Sequence, residues 1–232
     1  MMTDGRYFRG FAAALADDGH DVLVADFRGH GRSQPLPDWS FDDLVELDLP
    51  ALVAAAACPP DELVICGHSL GGLVTIAALG TGRIPPPRAV LLPATSVWLL
   101  GKAGPWRRRL LMSAYRHVTR LAGKAPIRAL RMGTADEAAT YIHQLTGWTR
   151  SARWTSLRGI DYLAAARTIR VPVAPLVGDA DWMCTPRDAA GFAAHLPDAR
   201  PLEIVPGCDH FALLTRSELA PRWCELIAKL AS

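Results

Sequence analysis

The chain has 232 residues, half of them hydrophobic and 21% charged, with a formal net charge of +2. That length and composition describe a globular core with room for a sizeable insertion, and they exclude a disordered chain. The near-zero net charge removes any bulk electrostatic case for nucleic acid as a partner, and no apolar run approaches the roughly 18 residues that a membrane span requires.

Residues 5–18 place Phe8, Phe11, Ala12 and Leu15 at helical spacing, and Gly19 ends the pattern as a left-handed C-cap. Arg6 and Arg9 lie inside this amphipathic pattern with no apolar stretch behind a basic start, so it does not read as a secretory leader. Val22-Leu23-Val24-Ala25 is a short apolar run, predicted as a strand buried on both faces. It leads into the Gly-rich loop Asp26-Phe27-Arg28-Gly29-His30-Gly31-Arg32-Ser33. A helix is predicted over 41–57, then a buried strand over 63–66 that turns at Gly67 directly into a helix reaching residue 79. Residues 89–92, 173–177 and 202–205 are further buried strands. The last helix repeats Leu219, Trp223, Leu226, Ile227 and Leu230 on one face, with Thr215 and Glu218 predicted as its capping box. Strands alternating with helices predict an α/β fold: a mainly parallel sheet with helices on both faces.

Strand signals disappear between residues 97 and 170. That stretch carries 14 Lys and Arg against only Asp136, Glu137 and Asp161, a net +11 that leaves −9 for the rest of the chain. The asymmetry divides the chain into a core, 1–96 and 171–232, and a helical cap at 97–170. Within the cap Trp106, Leu110, Leu111, Val118 and Leu121 share one helical face, with several arginines on the other. The five cysteines are odd in number and widely spaced, with no C-x-x-C. This argues against a disulfide framework or a zinc site and for a reducing cytoplasm.

Gly67-His68-Ser69-Leu70-Gly71 follows an apolar strand and opens a helix, the context in which G-x-S-x-G forms a nucleophile elbow. A turn that sharp has no room for side chains two positions either side of the serine, which accounts for Gly67 and Gly71. It presents the Ser69 hydroxyl above the sheet edge and leaves the Leu70 N–H free at a helix N-terminus to bind an oxyanion. A serine hydroxyl needs a base, itself oriented by an acid. Two later loops, both beyond strand C-terminal ends, supply them: Gly178-Asp179-Ala180-Asp181-Trp182 and Pro206-Gly207-Cys208-Asp209-His210-Phe211. His210 is the expected base. His20, His30, His117, His143 and His195 lie elsewhere in the pattern, and the elbow turns the side chain of His68 away from its neighbour. Asp181 is the expected acid, with Asp179 in the same loop as the alternative. Asp209 is expected to form a turn.

Together these segments, with Gly72 extending the elbow, resemble the α/β-hydrolase superfamily, and most closely its serine-aminopeptidase and monoacylglycerol-lipase-like branch. The order Ser, Asp, His along the chain is the order of that superfamily. The resemblance implies an ester or thioester hydrolase working through an acyl-enzyme on Ser69, with no metal or organic cofactor. It also implies about three strands and a His-Gly loop ahead of the first helix, with the second oxyanion donor just after that loop. This sequence reaches its first helix at Gly5, so the fold is expected to lack those strands, and the N–H of Met1 or, next to it, Met2 is the expected second donor. A start further upstream would supply the loop. The alternative is an impaired, non-catalytic member that acts as a binding protein. The apolar and basic faces of the cap point to a small-molecule acyl ester as substrate, lysophospholipid-like in character, and to peripheral contact with a membrane surface.

Overall fold

The computed structural model describes residues 4–231. Its centre is a parallel sheet of four strands in the order β1-β2-β5-β6: β1 Val64–Cys66, β2 Ala89–Pro93, β5 Val173–Gly178 and β6 Glu203–Val205. The register pairs Ile65 with Val90, Leu91 with Ala174 and Val177 with Ile204. Alternate residues of one strand face opposite sides of a sheet, and both sides are buried at the central strands β2 and β5, whereas the edge strands expected to be buried are only partly so, with Ile204 of β6 exposed. Ala89 and Leu91 of β2 join Phe11, Leu15, Leu176, Trp223 and Ile227 on one face. Val90 and Leu92 join Leu73, Val74, Ile76, Phe41 and Trp154 on the other. The helices Arg9–Asp17 and Ala220–Ala231 therefore cover the first face, and Leu70–Gly80 covers the second.

Between β2 and β5 the chain builds the helices Trp106–Ala122, Ala139–Ser151 and Tyr162–Ala166, with a two-stranded antiparallel pair, β3 Lys124–Ala125 and β4 Glu137–Ala138. This stretch is welded to the core rather than perched on it. Trp39 stacks on Tyr141 at 4.9 Å, Phe41 meets Trp148 edge-on at 4.9 Å, and Trp154 packs against both Tyr162 and Phe192. Asp42 supplies the polar joint. It accepts hydrogen bonds from Gln144 Nε2 at 2.6 Å, the Tyr162 hydroxyl at 2.9 Å and the Leu157 N–H at 2.7 Å.

Three sequence expectations need correction. Residues 22–25 form no strand, and Val22, Leu23 and Val24 are exposed. A parallel strand exists only where a neighbour accepts and donates in its ladder, and β1 pairs only with β2 among the described residues. The helix expected over 41–57 is interrupted by a π turn, Leu44–Asp48, ahead of Leu49–Ala56. Pro50 has no N–H to give the carbonyl four residues earlier, so the ladder shifts by one there. The final helix begins at Ala220 after a short helix, Ala212–Thr215, and a 3-10 turn, Ser217–Leu219. Thr215 closes that short helix, donating to the Phe211 carbonyl at 3.1 Å, instead of capping the long one.

Candidate functional site

Ser69 stands between β1 and the helix Leu70–Gly80 with φ +53° and ψ −113°, a backbone conformation that a non-glycine residue adopts only where its surroundings enforce it. The enforcing contact is a close crossing of two backbones. A Cβ on Gly67 would stand 2.7 Å from the Cα of Gly72, and one on Gly72 would overlap the Thr95 side chain, whereas one on Gly71 would meet nothing within 4 Å. The tight approach thus belongs to Gly67 and Gly72, not to Gly67 and Gly71 as the motif alone implied. The Thr95 hydroxyl closes the crossing by donating to the Gly67 carbonyl at 3.1 Å.

Loops after β5 and β6 bring the other two expected residues to Ser69. Asp181 is buried, and one carboxylate oxygen, Oδ1, accepts the N–H groups of Met183 and Cys184 at 2.8 Å each. Its other oxygen lies 2.7 Å from His210 Nδ1, and His210 Nε2 lies 3.0 Å from Ser69 Oγ. A carboxylate only accepts, so Nδ1 carries the imidazole proton and the lone pair of Nε2 faces the serine hydroxyl. The other two aspartates of these loops make backbone contacts. Asp179 accepts the Gly207 N–H at 2.7 Å, clamping the two loops together, and Asp209 accepts the N–H groups of Phe211 and Ala212, starting the short helix. Leu70 opens its helix, and its N–H has no partner among the described residues. Met1 and Met2, the candidates for the second donor, lie outside the described residues.

The acid loop is also held from the 97–170 stretch. Trp98 Nε1 donates to the Met183 carbonyl at 2.9 Å, and Arg108 pairs with Asp188 at 2.8 Å, donates to the Trp182 carbonyl and lies over the Trp98 ring. His30 forms a second joint to that stretch. Its Nδ1 faces the Arg28 carbonyl at 2.9 Å and its Nε2 faces Glu137 at 3.3 Å. Both partners accept only, so the pair is best described with His30 as an imidazolium. Burial alone would lower its pKa, but the hydrogen bond and charge of Glu137 outweigh burial and raise it.

One residue at the site was missed in the sequence. The ring of His68 lies 4.8 Å from that of His210, and its Nε2 is 2.7 Å from the His210 carbonyl oxygen. Burial, and then the charge that His210 can carry, push the His68 pKa down to about 3. Unfolded, the same histidine takes a proton near pH 6.5. The unfolded chain therefore binds more protons between pH 6.5 and about 3, and stability falls as pH falls through that window, by up to about 1.4 kcal/mol per unit. His30 acts in the opposite sense: its contribution is complete below pH 6.5 and is lost as pH rises through its raised pKa. Urea unfolding at pH 6.5 and pH 5 should show the wild type losing about 1–2 kcal/mol more than His68→Phe; equal losses would refute the assignment.

Among the described residues no group of His, Cys, Asp and Glu is arranged to hold a metal ion. Burial pushes the thiols of Cys66 and Cys184 up to about 12, so neither is a thiolate near neutral pH.

A parallel sheet with an elbow serine at a strand end, and a histidine and a buried aspartate on later loops, is the arrangement of the α/β-hydrolase fold. The family model for serine aminopeptidase, S33, matches residues 2–215, and the chain belongs to that family. A pimeloyl-[acyl-carrier protein] methyl ester esterase of Stenotrophomonas maltophilia is 26% identical over 223 residues, 88% of this chain and 80% of that protein. The lipase lipl-1 of Caenorhabditis elegans is 33% identical over 85 residues, 32% of this chain and only 21% of that protein's length. Among solved structures, a putative non-heme bromoperoxidase, BpoC, from Mycobacterium tuberculosis H37Rv superposes with a TM-score of 0.70 at 18% identity, covering 98% of this chain and 88% of that one. A monoacylglycerol lipase from Paleococcus ferrophilus gives 0.65 at 16% identity, covering 100% and 91%. At these identities the structural matches establish the fold alone.

Proposed function

We propose that the protein hydrolyses an ester or thioester of a small acyl, lipid-like molecule through an acyl-enzyme on Ser69. The observation that carries this reading is the unbroken chain of hydrogen-bond distances from Asp181 through His210 to Ser69, 2.7 Å and 3.0 Å. His210 takes the Ser69 proton as the oxygen attacks the acyl carbon, and Asp181 stabilises the imidazolium that forms. The Leu70 N–H donates to the tetrahedral oxyanion, a contact typically worth about 3 kcal/mol of barrier. Collapse expels the alcohol or thiol, which takes its proton from His210. Water, deprotonated by the same imidazole, then releases the acid and restores Ser69. Asp181, His210 and Ser69 supply this chemistry without a metal or cofactor. Five free cysteines fit a reducing cytoplasm.

In the same reading, residues 97–170 act as the cap and touch an anionic membrane surface. The stripe Trp106, Leu110, Val118 and Leu121 faces outward, with Trp106 66% and Leu121 76% exposed. Arg107 and Arg109 flank it, and neither has an acidic partner among the described residues. An exposed apolar stripe edged with arginine on a helix of 17 residues suits the headgroup boundary of an anionic bilayer. Face-to-face pairing of two copies is disfavoured, because each stretch carries +11. No helix among the described residues is long and apolar enough to cross a membrane, so contact would be peripheral.

The test is a series of p-nitrophenyl esters from acetate to palmitate, with and without anionic vesicles. Activity should rise with chain length into the medium-to-long range. Anionic vesicles should raise long-chain turnover roughly tenfold, and 0.5 M salt should reverse part of that gain. Trp106→Ser/Leu110→Ser should remove the vesicle effect while leaving acetate hydrolysis unchanged. Activity that falls steadily as the chain lengthens would refute the acyl assignment.

A further inference from the structure

Three residues of the site are separated widely along the chain, yet the turn that carries Ser69 is tied to His210 twice. The first tie is the bond between Ser69 and His210 that the chemistry uses. The second is the 2.7 Å contact between His68 Nε2 and the main-chain carbonyl of His210, which the chemistry does not use. We propose that His68 is a positioning residue, whose Nε2–H holds the backbone of His210 against the same turn that carries Ser69. This inference rests on the reading of Ser69 as nucleophile and His210 as base.

The carbonyl accepts only, so Nε2 of His68 must carry the proton. Adjacent residues of one strained turn then set both reacting groups. Ser69 is aimed by its own φ of +53°, and His210 is anchored through the neighbouring side chain. Other ties act on the flanks of the His210 loop. Ala180 N–H donates to the Cys208 carbonyl at 3.1 Å, and Asp209 caps the helix that follows. The carbonyl of His210 itself is held by His68. Rings pack around the anchor: His68 lies 5.9 Å from Phe211 and 6.2 Å, edge-on, from Phe8. This enclosure keeps His68 neutral, which matters because a second imidazolium 4.8 Å away would oppose the one that forms on His210. A base misplaced by about 1 Å costs on the order of 100-fold in rate, so an anchor at this point acts on kcat rather than on binding.

A ring that only fills space predicts that phenylalanine replaces it well; an anchor predicts that glutamine, whose Nε2 reaches a similar distance, replaces it better. With the full chain and a soluble short ester, His68→Phe should lower kcat roughly 10- to 100-fold with KM within about twofold. His68→Gln should stay within about threefold of wild type. His68→Asn, whose amide is too short to reach, should behave like phenylalanine and replaces that variant if it fails to fold. Wild-type kcat in both His68→Phe and His68→Asn, or His68→Gln as impaired as either, would overturn the proposal.

A second readout needs no turnover. In histidine-labelled protein, the low-field His210 Nδ1–H resonance should be sharp in wild type and His68→Gln and broadened in His68→Phe. An unchanged resonance in His68→Phe would also overturn the anchor. If wild type hydrolyses no ester, the reading of Ser69 fails, and the resonance alone decides the role of His68.

Discussion

His210→Ala is expected to lower kcat on a reactive ester by roughly 10⁴- to 10⁶-fold, with Ser69→Ala equally low and the double variant no worse. Members of one proton-transfer chain fail together, because each alone leaves the others without a task. Both variants should stay folded. Removing the imidazole takes the partner from one oxygen of Asp181 but leaves the other with its two backbone donors at 2.8 Å, so the carboxylate stays partly satisfied. Asp181→Asn is subtler. Its amide nitrogen would donate to Nδ1, force the proton onto Nε2 and turn that atom away from its role as acceptor, at a cost of roughly 10⁴-fold. Stopped-flow or initial-rate kinetics alongside urea unfolding separate these losses from misfolding. A His210→Ala variant within tenfold of wild type would remove His210 from the mechanism.

The second large effect falls on stability. Asp42→Ala should destabilise the protein by about 3–5 kcal/mol, because it strands the Gln144 amide, the Tyr162 hydroxyl and the Leu157 N–H beneath the aromatic layer of Phe41, Trp148 and Trp154. For a chain of this size that corresponds to a fall in Tm of roughly 6–20 °C. Asp42→Asn keeps one oxygen as acceptor but sets an amide NH₂ against the Leu157 N–H, so it should recover only part of the loss. Calorimetry on the three proteins orders them wild type, Asn, Ala; a loss under about 1 kcal/mol for Ala would show that the 97–170 stretch is held by its aromatic packing alone.

What was legible in the sequence was whatever a short window carries. The run at 63–66, the abrupt Gly67-His68-Ser69 and the helix after it fall within one stretch, and the four strands of the sheet appear as apolar runs close to their observed limits. The loops that carry Asp181 and His210 were legible because each follows such a run. What the sequence hid depends on partners far along the chain. Residues 22–25 have the composition of a buried strand but have no ladder neighbour among the described residues. Gly72 outranks Gly71 because Thr95 and the Gly67 backbone converge on it, which spacing does not encode. Asp42 reads as the polar start of a helix, and only the approach of residues 144, 157 and 162 makes it a joint. His68 was dismissed because adjacent side chains diverge at an elbow. They do diverge, and the divergence carries the His68 ring beside that of His210 and its Nε2 onto the His210 carbonyl.

Reaction of the purified chain with a fluorophosphonate probe, followed by peptide mapping, tests the central claim most directly. The account predicts a single adduct at Ser69, formed by wild type and absent from both Ser69→Ala and His210→Ala. A folded sample that takes up no probe, or takes it up elsewhere, would contradict the acyl-enzyme and leave the fold as a binding scaffold.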